Sequence, residues 1–116
     1  MHEMSLALNI VELVTAEAEA AGARAVRRIE LEVGSLAGVL IDSLCFCFEA
    51  AARETMAAGA ELAIHEVLAV GQCPACKATH PMPGLVTPCP SCDRYLVLET
   101  GRELRVVAIT VDEEEQ

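Results

Sequence analysis

Two pairs of cysteines, each of the form C-x-x-C, constrain the fold of this chain more than any other feature. Twelve residues separate the pairs, which are Cys73 with Cys76 and Cys89 with Cys92. Two facing C-x-x-C turns deliver four thiolates in a tetrahedron, and zinc held by four thiolates has no open position for a substrate. The spacing therefore predicts a structural zinc site. A rubredoxin-type iron site and two disulfides are the alternatives that use the same residues.

The segment around these cysteines differs in composition from the rest of the chain. Residues 72–95 hold all five prolines and four of the six cysteines. Such a short, proline-rich segment has almost no core of its own, so metal binding and folding are coupled there. We predict a zinc-binding module at residues 71–99, inserted into an α/β domain made of residues 1–70 and 100–116.

Periodicity predicts two helices and three strands for the larger domain. Apolar residues at spacings of three and four indicate helices at 4–21 and 41–57, with Asp42 or Ser43 as the N-cap of the second. The alternation of Ile29, Leu31 and Val33 with charged residues indicates a half-buried strand. Further strands are predicted at 61–70 and 103–111. The fold class is α/β (α+β), a small three-stranded sheet with two helices and an inserted zinc-ribbon or rubredoxin-like module.

The charge of the chain bounds its partners and its compartment. Eight basic and 18 acidic residues give a net charge of −10, which argues against nucleic acid and anionic membranes as partners. The sequence begins without a basic segment followed by a long apolar stretch, so we expect a cytoplasmic protein with reduced thiols.

Cys45 and Cys47 lie about 200° apart on the second helix and cannot chelate one ion together.

Catalytic motifs are absent from the sequence. It contains no Ser–His–Asp arrangement, no glycine-rich phosphate loop and no open zinc site, so we predict that the protein is not an enzyme. His65 fits an exposed strand face. His80, between the cysteine pairs, is either an exposed loop histidine or a residue that can replace a cysteine or sense pH near the zinc.

The chain begins Met-His-Glu. The amine of Met1, the backbone nitrogen of His2 and the imidazole Nδ1 can form two adjoining chelate rings around one ion. The backbone nitrogen of Glu3, or its carboxylate, can complete the site. Nitrogen-rich, tetragonal coordination suits Ni(II) or Cu(II). A histidine at position 2 has no function in most chains, so this pattern gains weight from its context: an adjacent carboxylate and a helix that begins at once.

Several motifs follow one another along the chain: MHEMSL at the start, GSLAGV and DSLCFCFE in the middle, the two C-x-x-C pairs, and G-x-E-L-x-V in the last strand. Taken in this order, they resemble the HypA/HybF family, the nickel metallochaperones of [NiFe]-hydrogenase maturation. The resemblance covers nearly the whole chain. It implies a nickel-binding α/β domain with a rubredoxin-like or ribbon-like zinc module before the last strand.

The resemblance also implies roles for individual residues and partners. His2 is then the essential nickel ligand, with the Met1 amine and the backbone of His2 and Glu3 contributing, and the Glu3 side chain as a further candidate. Zinc is then bound by the four cysteines Cys73, Cys76, Cys89 and Cys92. The implied partners are a HypB-type GTPase and the hydrogenase large subunit, which receives the nickel as cargo. The oligomeric state, monomer or homodimer, and a role in urease maturation stay open.

A zinc-ribbon interaction module without nickel chemistry is the main alternative. It explains the cysteines and assigns no role to the first three residues. Replacing His2 by alanine separates the two interpretations, because the alternative predicts no loss of function.

Overall fold

The computed structural model describes residues 3–113 and contains two helices and six strands within them. The helices are α1 (Glu3–Ala20) and α2 (Ile41–Ala52). The strands are β1 (Ala23–Gly34), β2 (Glu61–Val67), β3 (Val70–Gln72), β4 (Thr79–Pro81), β5 (Val97–Thr100) and β6 (Leu104–Glu113). The mixed α/β class predicted from the sequence is confirmed.

The central strand of the first sheet is β1, because the strand order is β2-β1-β6. Its alternating pattern buries Ile29, Leu31 and Val33, as the sequence predicts. The alternating segment used for the prediction starts at Arg27, and the strand begins four residues before it, at Ala23. Near this end, the N–H of Val26 donates to the carbonyl of Met56 at 2.8 Å. That bond is made to a turn following α2, which a local sequence pattern does not reveal.

The two helices pack against each other, and most of their buried side chains are aliphatic. The buried residues of α1 are Ala7, Ile10, Val11, Val14 and Ala18, and those of α2 are Leu44, Phe48 and Ala52. No helix within residues 3–113 has both the length and the apolar character needed to cross a bilayer.

Helix α2 begins at Ile41, as predicted, but its N-cap and its last residue differ from the prediction. The N-cap is Leu40, so the expectation that Asp42 or Ser43 caps the helix is wrong. The helix ends at Ala52 instead of residue 57, because Arg53 leaves the helical region and Glu54 adopts a positive φ of 62°. The hydroxyl of Thr55 donates to the carbonyl of Ala52 at 2.6 Å and so satisfies the helix end.

Contacts divide the chain into two compact units. The first unit comprises Met1–Leu31, Val39–Ile64 and Val106–Gln116. The structure describes this unit from residue 3 to residue 113. The second unit comprises Glu32–Gly38 and His65–Arg105 and contains the sheet β4-β3-β5, whose strands are antiparallel. The domain boundaries at residues 71 and 99 stay a prediction.

The second unit has its own small core. It is formed by Ala69, Cys73, Met82, Cys89 and Leu96, with the partly buried Leu36, Cys92 and Leu98 packed against them. Two of these five buried residues, Cys73 and Cys89, are cysteines from different C-x-x-C pairs. The core of this unit therefore depends directly on the state of its thiols.

The segment that follows β1 is hydrogen-bonded to the chain on both sides of the cysteine region. The N–H of Leu36 donates to the carbonyl of Gly101 at 2.7 Å, and the N–H of Ser35 donates to the carbonyl of Val67 at 2.8 Å. The hydroxyl of Ser35 accepts the N–H of Ala69 at 2.9 Å. Both chain segments that lead into the cysteine region are therefore fixed by residues 34–36.

Candidate metal centre

The four cysteines of the two C-x-x-C pairs meet at one point. The Sγ atoms of Cys73, Cys76, Cys89 and Cys92 all lie within 4.8 Å of one another. Cys76 Sγ and Cys89 Sγ are 3.8 Å apart, and all four cysteines are free thiols. A tetrahedron with metal–sulfur bonds of about 2.3 Å has edges of about 3.8 Å. The donor set and its dimensions therefore fit a four-coordinate metal such as zinc, whereas disulfides do not account for this spacing.

Each pair of cysteines is held by a backbone turn. In the first turn, the N–H of Lys77 donates to the carbonyl of Cys73 at 3.0 Å, and the N–H of Cys73 donates to the carbonyl of Ala78 at 2.9 Å. The second turn repeats the closing bond, since the N–H of Cys89 donates to the carbonyl of Arg94 at 2.8 Å. These bonds place the two thiols of each pair side by side.

Backbone strain is present in the first turn. Lys77 follows the second cysteine of its pair, a position where glycine is common, and it adopts a positive φ of 65°. Its Cβ makes this conformation costly for an L-residue other than glycine. Asp93 holds the matching position in the second turn but is not among the positive-φ residues of the described chain.

The thiols of the cluster differ in acidity. A hydrogen bond from the backbone N–H of Cys76, with nitrogen and sulfur 3.5 Å apart, is the main cause that lowers the pKa of Cys73 to about 6. Hydrogen bonds to the sulfurs of Cys76 and Cys73 raise the pKa of Cys92 to about 12. Four thiolates this close repel one another, so a bound cation is needed to keep all of them deprotonated.

The other cysteines and histidines of residues 3–113 lie outside this cluster. His80 is on β4 and half-buried, so the expectation of an exposed loop histidine is wrong. Its Nε2 is enclosed and has no hydrogen-bond partner among the described residues. Cys45 is partly buried on α2, and burial is the main cause that raises its pKa. Within residues 3–113, the four-cysteine cluster is the one group of three or more metal-binding side chains.

The predicted nickel site falls largely beyond the described part of the chain. Met1 and His2 lie outside residues 3–113. Glu3 is the first residue of α1 and is half-buried. Its Oε2 accepts the backbone N–H of Leu40 at 3.3 Å, where Leu40 is the N-cap of α2. The structure thus places the one described member of the Met-His-Glu motif at the start of the second helix.

Comparison with known proteins identifies the family. A family model described as "Hydrogenase/urease nickel incorporation, metallochaperone, hypA" matches residues 1–111. The chain belongs to the HypA family. It is 49% identical over 113 residues to the hydrogenase maturation factor HypA of Chlorobaculum parvum, covering 97% of this chain and all of the relative. The corresponding protein of Parabacteroides distasonis is 42% identical over 98% of this chain and its own full length.

Solved structures support the fold of the family. The solution structure of the Ni metallochaperone HypA from Helicobacter pylori matches with a TM-score of 0.70 and 20% identity, covering 98% of this chain and all of that one. A resemblance at this identity is evidence for the fold. Together with the family match, it makes the chain a member of a family of hydrogenase maturation factors that incorporate nickel, with a four-cysteine metal-binding cluster.

Two residues that matter for the sites were not found from the sequence. Leu36 packs against the cysteine core, and the N–H of Leu40 contacts Glu3. Leu36 lies within the GSLAGV motif, but nothing in its local pattern indicates a contact with residues more than 30 positions away. Leu40 acts through its backbone, which carries no signal in a sequence.

Proposed function

We propose that this chain binds Ni(II) at its N-terminus and delivers it to the large subunit of a [NiFe]-hydrogenase during maturation. The observation that carries the proposal is the Met-His-Glu start in a chain that belongs to the HypA family over residues 1–111. The nickel ligands are the imidazole of His2, the amine of Met1 and the backbone nitrogens of His2 and Glu3. Nickel is cargo in this scheme.

The arrangement suits a protein that must give up its metal. Ligands that belong to the end of a chain can exchange with those of a partner more readily than a set of four thiolates that includes the buried Cys73 and Cys89. Helix α1 begins at Glu3, whose backbone nitrogen is the last of the proposed ligands along the chain. The first N–H groups of a helix have no carbonyl partner within the helix, so the nitrogen of Glu3 is not committed to the helical ladder.

The proposed zinc site has a separate role. Cys73, Cys76, Cys89 and Cys92 bind zinc through four thiolates, which leaves no coordination position for cargo or substrate. The spacing of 3.8 Å between Cys76 Sγ and Cys89 Sγ supports this assignment. Zinc stabilises the second unit, whose core includes Cys73 and Cys89.

The proposal includes partners and a compartment. A HypB-type GTPase and the hydrogenase large subunit are the partner proteins, and the chain acts in the cytoplasm as a monomer or homodimer without catalytic activity of its own. Its charge of −10 is unsuited to nucleic acid or anionic membranes and compatible with handling cations.

Nickel titration calorimetry on untagged, zinc-loaded protein tests the proposal. The wild-type chain is compared with His2→Ala, with a version extended before Met1, and with His65→Ala as a control on an exposed histidine. We expect about one nickel ion per chain for wild type and His65→Ala, and loss of this binding in the other two. Equal binding by all four proteins would contradict the proposal and favour a zinc-ribbon interaction module.

A further inference from the structure

Helix α2 begins without a cap from its own sequence. Its N-cap residue is Leu40, which has no side-chain oxygen and makes no side-chain cap bond. In a capping box, a Glu or Gln three residues after the N-cap accepts the backbone N–H of the N-cap residue. Ser43 occupies that position here. The N–H of Leu40 therefore needs an acceptor from elsewhere in the chain.

Glu3 supplies this acceptor from the start of α1. Its Oε2 lies 3.3 Å from the nitrogen of Leu40, although the residues are 37 positions apart. The carboxylate does for α2 what the glutamate of a capping box does within one helix. Its negative charge also lies at the positive end of the α2 dipole, where an anion is favoured. This contact joins the two helices at the end where the chain begins.

We propose that Glu3 is a positioning residue of the nickel site: its side chain caps α2 at Leu40 and thereby fixes its own backbone nitrogen, one of the proposed ligands, while its carboxylate does not ligate nickel. The inference rests on the proposed function. It narrows the ligand set suggested by the sequence, in which the Glu3 carboxylate was a candidate. The remaining donors are nitrogens: one amine, one imidazole and two backbone amides. Such a set suits tetragonal Ni(II).

The proposed role has a thermodynamic consequence. If the backbone nitrogen of Glu3 is in position for binding in only part of the molecules, the apparent nickel affinity is reduced by that fraction. The contact between Glu3 and Leu40 raises the fraction of molecules in which this nitrogen is in position before the metal arrives. Removing the contact should therefore weaken nickel binding and leave the number and type of ligands unchanged.

Substitutions of Glu3 separate a cap from a ligand. The amide oxygen of Glu3→Gln can still accept the N–H of Leu40, but it is a poor replacement for an anionic metal ligand. Glu3→Ala removes both possibilities. We expect Glu3→Ala to weaken nickel binding about three- to tenfold. The nickel affinity of Glu3→Gln should stay within about twofold of the wild-type value. The probe is Ni²⁺ added to full-length, untagged, zinc-loaded protein.

Amide hydrogen exchange without nickel provides an independent readout. We expect Glu3→Ala to accelerate exchange of the Leu40 amide and the first turn of α2 about three- to tenfold, and Glu3→Gln to restore the protection. The nickel spectrum separates a cap from a ligand, because only the loss of a ligand changes it. Glu3→Ala should keep the ligand-field bands of wild type, since its ligands are the same.

A donor substitution tests the contact from the other side. Leu40→Pro removes the N–H, and the φ of −83° at this position is close to the value that proline requires. Leu40→Ala is the matched control, because the side chain of Leu40 is 70% exposed and contributes little packing. We expect Leu40→Pro to reproduce the nickel affinity of Glu3→Ala and Leu40→Ala to resemble wild type.

The possible outcomes separate this inference from the proposed function. Equal loss of nickel affinity in Glu3→Gln and Glu3→Ala, with a changed nickel spectrum, would make the carboxylate a ligand and overturn the inference. Unchanged exchange at Leu40 in Glu3→Ala would overturn the contact. Nickel binding that survives His2→Ala would overturn the proposed function and the positioning role with it, while exchange at Leu40 would still decide whether Glu3 caps α2.

Discussion

A Cβ atom on Gly34 would lie 2.1 Å from the carbonyl oxygen of Gly101, well inside any permitted contact distance. The two backbones touch where β1 ends and where β5 leads into β6. We expect Gly34→Ala to lower the free energy of unfolding of the second unit by about 3 kcal/mol, because the backbones must separate. Denaturant unfolding of the zinc-loaded protein measures this change.

Gly84→Ala provides the control for this substitution. Gly84 is in the same unit, a Cβ there meets no atom within 4 Å, and its φ is not in the left-handed region. The free energy of unfolding of Gly84→Ala should lie within about 0.5 kcal/mol of the wild-type value. A Gly34→Ala variant that matched this control would mean that the close approach is not a feature of the folded protein.

Leu36 links the segment after β1 to the core around the cysteines. We expect Leu36→Ala to destabilise the second unit by about 1–2 kcal/mol, since a partly buried aliphatic side chain loses its contacts. The same change should speed transfer of zinc to a competing chelator, measured by its absorbance. Leu85→Ala, at a residue 57% exposed in the same unit, is the control. Identical transfer rates for both variants would argue against a role of Leu36 in holding the site.

Lys77 is in a conformation that glycine adopts at lower cost. We expect Lys77→Gly to stabilise the second unit by about 0.5–1 kcal/mol, the strain relieved being partly offset by the greater freedom of glycine in the unfolded chain. Thermal unfolding of the zinc-loaded protein detects this gain. Asp93→Gly tests the matching position of the other turn, which lacks the positive φ, and should be destabilising. Stabilisation by both substitutions would refute this explanation.

Zinc affinity should fall as the pH falls, with a slope that steepens below about pH 6. In the metal-free protein, the pKa of Cys73 is lowered from an ordinary 9.0 to about 6, so this thiol is already ionised at pH 7. Below pH 6 it binds a proton, and zinc must displace one proton more. Cys92, with a pKa of about 12, must release its proton throughout this range. Competition with a chromophoric chelator between pH 5 and 8 measures the slope.

Cys45→Ser is the control for the pH experiment. Cys45 is on α2 and lies outside the four-cysteine cluster, so its substitution should leave the pH dependence of the zinc affinity unchanged. A zinc affinity that did not vary with pH would show that thiol protonation does not compete with the metal.

The sequence predicted the features that depend on short spacing. Two C-x-x-C turns predicted a four-thiol cluster, and the described cysteines form it. The alternation through Ile29, Leu31 and Val33 predicted a buried strand face, which β1 has. In both cases the local geometry of a turn or a strand determines where the side chains point, so no knowledge of distant contacts is needed.

Features that depend on distant partners were missed. The cap of α2 comes from Glu3, 37 residues before Leu40, whereas the local pattern indicated Asp42 or Ser43. The predicted strand at 61–70 is divided into β2 and β3, because Ala69 turns to contact Gly101 and Ser35. The second sheet was not predicted at all, since its strands have only three or four residues each.

X-ray absorption at the nickel and zinc edges, on full-length protein loaded with both metals, tests the central claim most directly. The account predicts a nickel shell of nitrogen or oxygen atoms without sulfur, and a zinc shell of four sulfurs at about 2.3 Å. This result would place the two metals at separate sites of different chemistry. Sulfur in the nickel shell would contradict the account, because it would put the cargo on the cysteines and leave Met-His-Glu without its proposed role.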